Sequence, residues 1–328
     1  MELIGYACSY IPVELLSATG WQPYHLLHGN IDLSRQAEKY TRIDACPMVK
    51  SNISYILNNQ DKFRALIGST GCDMSRRMFD IIAETTDIPV FVLNNPSTDR
   101  KQIFDDEVYW LVRQLENLSG RKFSDDLIAG EIEKWESERE FYRAIDKKRA
   151  ALPSLISTFT FHKAIMNYHQ GNITNHIDLK DESSNNPRVY LLGSAITYES
   201  HPILEMLEKE LRIVGDFNCG LSRFLNIHIT ENNLNGIKSA YYNQPPCVYK
   251  RPNNKFYDFV NKKLEELNCR GIVAWTLDYC DNYEFELKRI ESAFNLPVLR
   301  IKSDFSFQNL NQLRTRINSF TEMLCSKQ

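Results

Sequence analysis

Short apolar runs, each closed by glycine, serine or cysteine and followed by a helical period, recur along this chain. Residues 63–69, Phe-Arg-Ala-Leu-Ile-Gly-Ser, read as a buried strand. The next positions, Thr70-Gly71-Cys72-Asp73-Met74-Ser75-Arg76-Arg77, open a helix that runs to residue 85. Strands are also predicted at 2–7, 22–28, 89–94, 188–193, 212–217, 270–277 and 297–301. Helices are predicted between them, at 11–20, 32–40, 47–58, 202–211, 254–267, 282–294 and 310–324. Strand alternating with helix argues for parallel α/β layers. The middle of the chain differs. Val108, Leu111, Val112 and Leu115 recur at helical spacing within a helix predicted at 99–118. Ser124 caps a second helix, 124–144, and Asp125 and Asp126 fill its first turn. A third helix is expected at 153–168, and the polar stretch 173–187 reads as a linker. The expected division is a first α/β domain (1–98), a helical connector (99–186) and a second α/β domain (187–328).

Charge and composition narrow the function classes. A net charge of −3 leaves no basic footprint for nucleic acid or an anionic membrane surface. No apolar run approaches the ~20 residues that span a bilayer. The N-terminal residues lack the basic and apolar regions of a signal peptide, so a cytoplasmic protein is expected. In that reducing compartment the eight cysteines are thiols, redox groups or metal ligands rather than disulfides. No Cys-x-x-Cys and no ferredoxin-type run occurs, so any cluster must be assembled from distant segments.

Three cysteines stand at element ends. Cys72 lies where a strand gives way to a helix, the place where open α/β sheets bind ligands. Cys46 precedes the helix that starts at Pro47, and Cys280 follows the apolar run 271–275. A helix N-terminus favours thiolate over thiol. Three such residues can converge on one metal cluster.

The segments Cys8-Ser9-Tyr10-Ile11-Pro12-Val13-Glu14-Leu15, Asp44-Ala45-Cys46-Pro47, Thr70 to Arg77, Asp278-Tyr279-Cys280-Asp281 and Gln312-Leu313-Arg314-Thr315-Arg316-Ile317 together resemble the 2-hydroxyacyl-CoA dehydratase family. That family includes benzoyl-CoA reductase subunits and double-cubane cluster proteins. The resemblance spans nearly the whole chain, in order. It implies two Rossmann-like α/β domains joined by the helical segment, with an iron–sulfur cluster in the cleft between them. It implies that Cys46, Cys72 and Cys280 bind a [4Fe–4S] cluster with one iron open. It also implies an ATP-dependent iron–sulfur activator protein, an acyl-CoA substrate, and a dimer with a related second subunit or with itself. In the dehydratase branch, a low-potential electron drives radical loss of water from a 2-hydroxyacyl-CoA thioester. Alternatives are a double-cubane reductase of small molecules and a non-catalytic subunit that stores or relays electrons. Two departures stand out: Cys8 comes almost at once, where larger members carry a helical extension, and Asp278 stands where the family often has lysine. An acidic group beside a cluster lowers its potential.

Further candidates follow from position. Cys8 and Cys219 follow strands and Cys247 lies in a loop; with the first three they would supply a larger, double-cubane [8Fe–9S] cluster. Cys269 and Cys325 read as packing residues. Glu14 is a candidate base or ligand-orienting group, and Arg76 and Arg77 are candidates for a CoA phosphate or an activator carboxylate. An ion pair with Asp73 or Asp80 on the same helix is the alternative for the two arginines. Arg223 is placed to reach the cleft from the second domain, and Arg314 and Arg316 read as structural. No two histidines stand at metal-ligand spacing, and His201 reads as a cap or surface group.

Overall fold

The computed structural model describes residues 2–152, 154–173, 184–306 and 310–326. It contains two four-stranded parallel sheets of matching order. In the first, β1 (Leu3–Tyr6), β2 (Gln22–His25), β3 (Phe63–Ser69) and β4 (Val90–Leu93) run β2-β1-β3-β4. In the second, β5 (Arg188–Gly193), β6 (Arg212–Asp216), β7 (Gly271–Leu277) and β8 (Val298–Ser303) run β6-β5-β7-β8. The α/β expectation of two parallel, Rossmann-like layers is therefore met. Each sheet reverses its strand order in the middle, between β1 and β3 and between β5 and β7. Helices cover both faces of such a sheet, so its central strands are apolar throughout. All seven residues of β7 are buried, as are six of the seven in β3.

The helices α1 (Val13–Ala18), α2 (Ile31–Gln36), α3 (Pro47–Asn58) and α4 (Asp73–Thr85) serve the first sheet. The connector holds α5 (Lys101–Ser119), α6 (Asp125–Ala150) and α7 (Thr158–His169). Then come α8 (His201–Glu210), α9 (Leu234–Asn243), α10 (Asn254–Glu266), α11 (Asp281–Glu284), α12 (Leu287–Ala293) and α13 (Leu310–Ser326). One apolar core runs from Ile4 and Leu66 through Leu111, Trp135 and Phe161 to Val189 and Trp275. The connector helices are thus its middle layer. A smaller core around Leu192, Phe256 and Ile290 lies behind the second sheet. Most of the stretch read as a linker, 173–187, falls outside the described residues.

Several elements differ from expectation: β2 ends at His25 rather than 28, and α7 starts at Thr158 rather than 153. The α6 helix extends to Ala150, beyond the predicted 144, because Ile145 and Arg149 find buried partners. The α9 helix was not predicted; Asn233 caps it by accepting from the Gly236 amide at 2.9 Å. The helix predicted at 282–294 is split into α11 and α12 around Phe285 and Glu286. Glu286 is drawn inward at that break, bonded to Asn253 at 2.8 Å and to the Tyr257 hydroxyl.

The α6 helix holds the two halves in place through two buried arginines about 15 Å apart along its axis. Arg139 and Glu14 of α1 pair at 2.5 Å, both side chains fully buried. The second Glu14 oxygen accepts from the Tyr241 hydroxyl at 2.8 Å. Arg149 pairs with Asp216, at the end of β6, at 2.8 Å, again with neither side chain exposed. Removing one partner of a buried pair leaves the other charge uncompensated, at a cost of about 3–5 kcal/mol. Arg149→Ala should therefore lose stability on that scale, read from the urea unfolding midpoint. Lys148→Ala, at the exposed neighbour, should move the midpoint by less than about 0.5 kcal/mol. Equal effects would remove the structural role given to Arg149.

Candidate metal centre

The carboxyl ends of both sheets carry cysteines, and each sheet's point of strand reversal carries at least one. Cys8 follows β1 with φ +112°. That conformation is strained for an L-residue and persists only where the surroundings impose it. Cys72 ends β3 and caps α4, while Cys46 caps α3, whose first residue is Pro47. In the second half, Cys280 follows β7 and caps the short α11. Its thiol is hydrogen-bonded to the Ser194 side chain, which also accepts the Leu277 amide at 3.1 Å. Ser194 follows Gly193, at φ +141°, where a Cβ would fall 1.8 Å from the Trp275 carbonyl oxygen.

Cys219 sits in the turn after β6. One Asp216 oxygen accepts the Asn218 and Ser222 amides, both at 3.0 Å, and so closes that turn. Gly220 has φ +86°, and a Cβ there would lie 1.9 Å from the Ile196 carbonyl oxygen, so glycine is required. The Cys219 sulfur is 3.4 Å from Ser9 Oγ. Cys247 lies in the loop between α9 and α10, and its amide donates to the Tyr10 hydroxyl at 3.2 Å.

These six thiols lie within electrostatic reach of one another. Burial pushes Cys46 up to about 12, and a thiolate at Cys280 adds to the effect. Burial raises Cys72 further, with added pressure from Cys46, Cys280 and Cys8; the Ser75 amide opposes it. Cys8 is also pushed to about 12, by burial and then by Cys219 and Cys247. Burial raises Cys280 and Cys219 too, and Cys247 acts on both. Two groups are thereby linked: Cys46, Cys72 and Cys280, and Cys8, Cys219 and Cys247.

Two cations stand among them. Arg223 is buried, 4.3 Å above the Phe217 ring and 5.7 Å from the Tyr10 ring. Burial opposes its charge, yet Cys247 and Cys219 hold its pKa above the ordinary value. The Lys250 ammonium lies 5.0 Å from the Tyr10 ring and bonds Asn95 Oδ1 at 2.8 Å. Burial brings it down to about 8.

Every cysteine is a free thiol. Among the described residues, no group of three or more His, Cys, Asp or Glu side chains could hold a metal ion as placed. Thiolates around one ion sit about 4 Å apart, since metal–sulfur bonds are ~2.3 Å. A cluster spreads its thiolates over separate irons and asks for a wider set. Six soft, reduced sulfurs beside the buried Arg223 and the half-buried Lys250 fit such a group in donor chemistry.

Comparison with known proteins decides the family. The description "2-hydroxyglutaryl-CoA dehydratase, D-component" matches residues 8–324. The chain belongs to this family. It is 25% identical to a putative dehydratase subunit, YjiM, of Escherichia coli, over 99% of this chain and 92% of that one. It is 24% identical to the (R)-phenyllactyl-CoA dehydratase beta subunit of Clostridium sporogenes, over 98% and 92%. It is 22% identical to the beta subunit of (R)-2-hydroxyglutaryl-CoA dehydratase of Acidaminococcus fermentans, over 98% and 92%. The dehydratase family membership expected from the cysteine motifs is thus established.

The other candidate residues of this dehydratase-family chain are placed as follows. Both Glu14 oxygens are engaged, one by Arg139 and the other by the Tyr241 hydroxyl, and the buried carboxylate anchors α1. Arg76 pairs with Asp73 at 3.4 Å and Arg77 with Asp80 at 3.2 Å, both partly exposed on α4. Asp278 is met by Lys302 at 3.5 Å, which offsets its charge beside Cys280. Arg316 donates to the Arg300 carbonyl, Arg314 is exposed, and His201 bonds His162 at 3.1 Å. Cys269 packs beside the smaller core and Cys325 is exposed. Sequence reading missed Lys250, although the tyrosines of Cys247-Val248-Tyr249-Lys250 and Tyr242 are the signal of an enclosed cation.

Of the six gathered cysteines Cys46 is buried and the other five are half-buried, and the upward pKa shifts set an expectation for their reactivity. At neutral pH, iodoacetamide should label the exposed Cys325 quickly and Cys8, Cys46, Cys72 and Cys219 much more slowly, because their raised pKa values leave little thiolate. Mass mapping of the labelled peptides checks this. Labelling of Cys72 in the folded chain as fast as that of Cys325 would contradict its raised pKa.

Proposed function

We propose that the chain is the iron–sulfur subunit of an enzyme of the 2-hydroxyacyl-CoA dehydratase and benzoyl-CoA reductase type, with Cys46, Cys72 and Cys280 as cluster ligands. The observation that supports it is the gathering of thiols from distant segments at the carboxyl ends of strands of both sheets. In open α/β sheets the point of strand reversal is where ligands bind. When bound, a [4Fe–4S] cluster with an open iron supplies a one-electron carrier and a Lewis acid. The chain's own residues do the rest. The cysteines bind, Ser194 and the amides of α3 and α4 orient them, and Arg223 offsets their charge. The packed walls around Tyr10 and Phe217 keep water from the site.

The reading includes an acyl-CoA substrate, an ATP-dependent iron–sulfur activator protein, and a second chain as partner. Two relatives named as beta subunits support the partner. It also places the protein in the cytoplasm, where free thiols persist. Among the described residues no helix is long and apolar enough to cross a membrane.

A second reading, a double-cubane [8Fe–9S] cluster, is favoured by one observation. Cys8, Cys219 and Cys247 form a group linked to the first three through Cys8 with Cys72 and Cys247 with Cys280. Iron and sulfide counts on anaerobic protein separate the two, at about four or about eight irons per chain. Cys72→Ser should lose its iron on either reading while its thermal unfolding moves little, since serine is close in size but a poor ligand. Cys219→Ser should lose iron only on the second reading. Full iron retention in Cys72→Ser would remove the cluster proposal altogether.

A further inference from the structure

We propose that Tyr24 is a one-electron redox site: it yields an electron to a radical oxidant and its hydroxyl proton to His28, and regains both from a reductant. The site stands apart from the cysteines and does not rest on their reading as a metal centre. Tyr24 lies in β2, His28 follows that strand, and Glu199 comes from the loop between β5 and α8.

The first observation is an unbroken hydrogen-bond chain. Glu199 Oε1 lies 3.0 Å from His28 Nδ1, and His28 Nε2 lies 2.9 Å from the Tyr24 hydroxyl. A carboxylate only accepts, so Nδ1 carries the hydrogen, and the neutral ring offers Nε2 as acceptor for the Tyr24 O–H. The other Glu199 oxygen takes the Gly29 amide at 2.7 Å, and the His28 amide donates to Asn52 at 3.1 Å. Backbone bonds thus fix both the imidazole and the carboxylate. Gly29 has no room for a Cβ, which would fall 2.4 Å from Thr197 Oγ1 and 2.6 Å from the Phe305 ring. The first half supplies the phenol and the imidazole, the second half the carboxylate, and the chain is complete where the two meet.

The second observation is the surroundings of the phenol. Tyr24 and His28 are each 8% exposed, which leaves a substrate little access to the hydroxyl; an electron needs none. Burial holds the Tyr24 hydroxyl well above its ordinary pKa, and the Tyr55 hydroxyl adds to the effect. The ring therefore starts as a phenol and must shed a proton when it loses an electron. The acceptor for that proton already stands at hydrogen-bond distance. The Tyr55 ring stacks on His28 at 3.6 Å and on Tyr24 at 5.8 Å. The Tyr198 and Phe63 rings flank Tyr24 at 5.8 and 6.2 Å. Tyr55 is half-buried, so the path of packed rings reaches the surface there.

The step balances with one oxidant and one reductant. A radical product of dioxygen reduction takes one electron from Tyr24. The O–H proton moves to His28 Nε2, leaving a neutral tyrosyl radical and an imidazolium that faces the Glu199 carboxylate. A charge-assisted bond replaces a weaker one at Nδ1, which stabilises the oxidised state. An electron from a soluble thiolate, with the proton returning from Nε2, restores the phenol. The eight cysteines, all free thiols, are the groups that such a sink spares from oxidation.

Flash photolysis of the full chain with ruthenium tris-bipyridine and a sacrificial electron acceptor supplies the oxidant. Transient absorption and electron paramagnetic resonance read the tyrosyl radical. Tyr24→Phe removes one hydroxyl and should lose the persistent part of that signal, whereas Tyr109→Phe, at an exposed tyrosine, should leave it unchanged. His28→Gln should slow radical formation at least about tenfold, the loss of a positioned base. Glu199→Gln, at a partly exposed side chain, should slow it in the same direction while keeping the fold. The wild-type rate should fall in deuterium oxide, because a proton moves with the electron. Thiols counted after repeated flashes should disappear faster in Tyr24→Phe than in the wild type. A radical signal undiminished in Tyr24→Phe would overturn the proposal. So would a rate that ignores deuterium oxide and both the His28 and Glu199 variants, and equal thiol loss would remove the protective role.

Discussion

The pairing of α6 with both halves through Arg139 and Arg149 is the constraint on which the arrangement of the cysteines depends. Neither guanidinium has access to water, so each must find its carboxylate. Glu14 fixes α1, the helix that follows Cys8 by a few residues. Asp216 fixes the end of β6 and, through its second oxygen, the turn that carries Cys219. A buried ion pair adds little over well-packed apolar residues; what it enforces is the choice of partner. One helix thereby positions two thiols more than two hundred residues apart in sequence.

Burial and charge oppose each other in this pocket. Without iron, burial keeps the thiols protonated, as the upward shifts of Cys8, Cys46 and Cys72 express. A metal takes thiolates as ligands, so on the proposed cluster reading loading would release protons. Arg223, already charged and buried, lowers the cost of that conversion, and the amides at the starts of α3 and α4 act in the same direction. The strained backbone at Cys8 fits the same logic. A side chain free to relax would point elsewhere, and the structure spends local strain to keep it aimed.

Much of this was legible in the sequence because strand ends announce themselves. The run from Phe63 to Ser69 and the break at Gly71 place Cys72 with no further information, and α3 begins and ends where Pro47 and the period predict. Glu14 was harder. Its position on α1 says nothing of Arg139, which lies 125 residues later. The extension of α6 past residue 144 was hidden for the same reason, since it depends on the partners of Arg149. No element is predicted at α9, although Asn233 is its cap. Local pattern reveals elements and their ends; it does not reveal which charges meet across the fold.

The two sheets share a topology but not a cysteine pattern, and the difference shows how the site departs from symmetry. β1 corresponds to β5 and β3 to β7 in strand order. Cys72 after β3 therefore matches Cys280 after β7. Cys8 after β1, however, is matched by Ser194 after β5. A serine there holds the Cys280 thiol and the Leu277 amide instead of offering a sulfur. The second half makes up the difference from elsewhere, with Cys219 at the end of β6 and Cys247 from a loop stabilised by Tyr10 of the first half. Each half thus completes the other's set of thiols, and the site exists only where the two are pressed together.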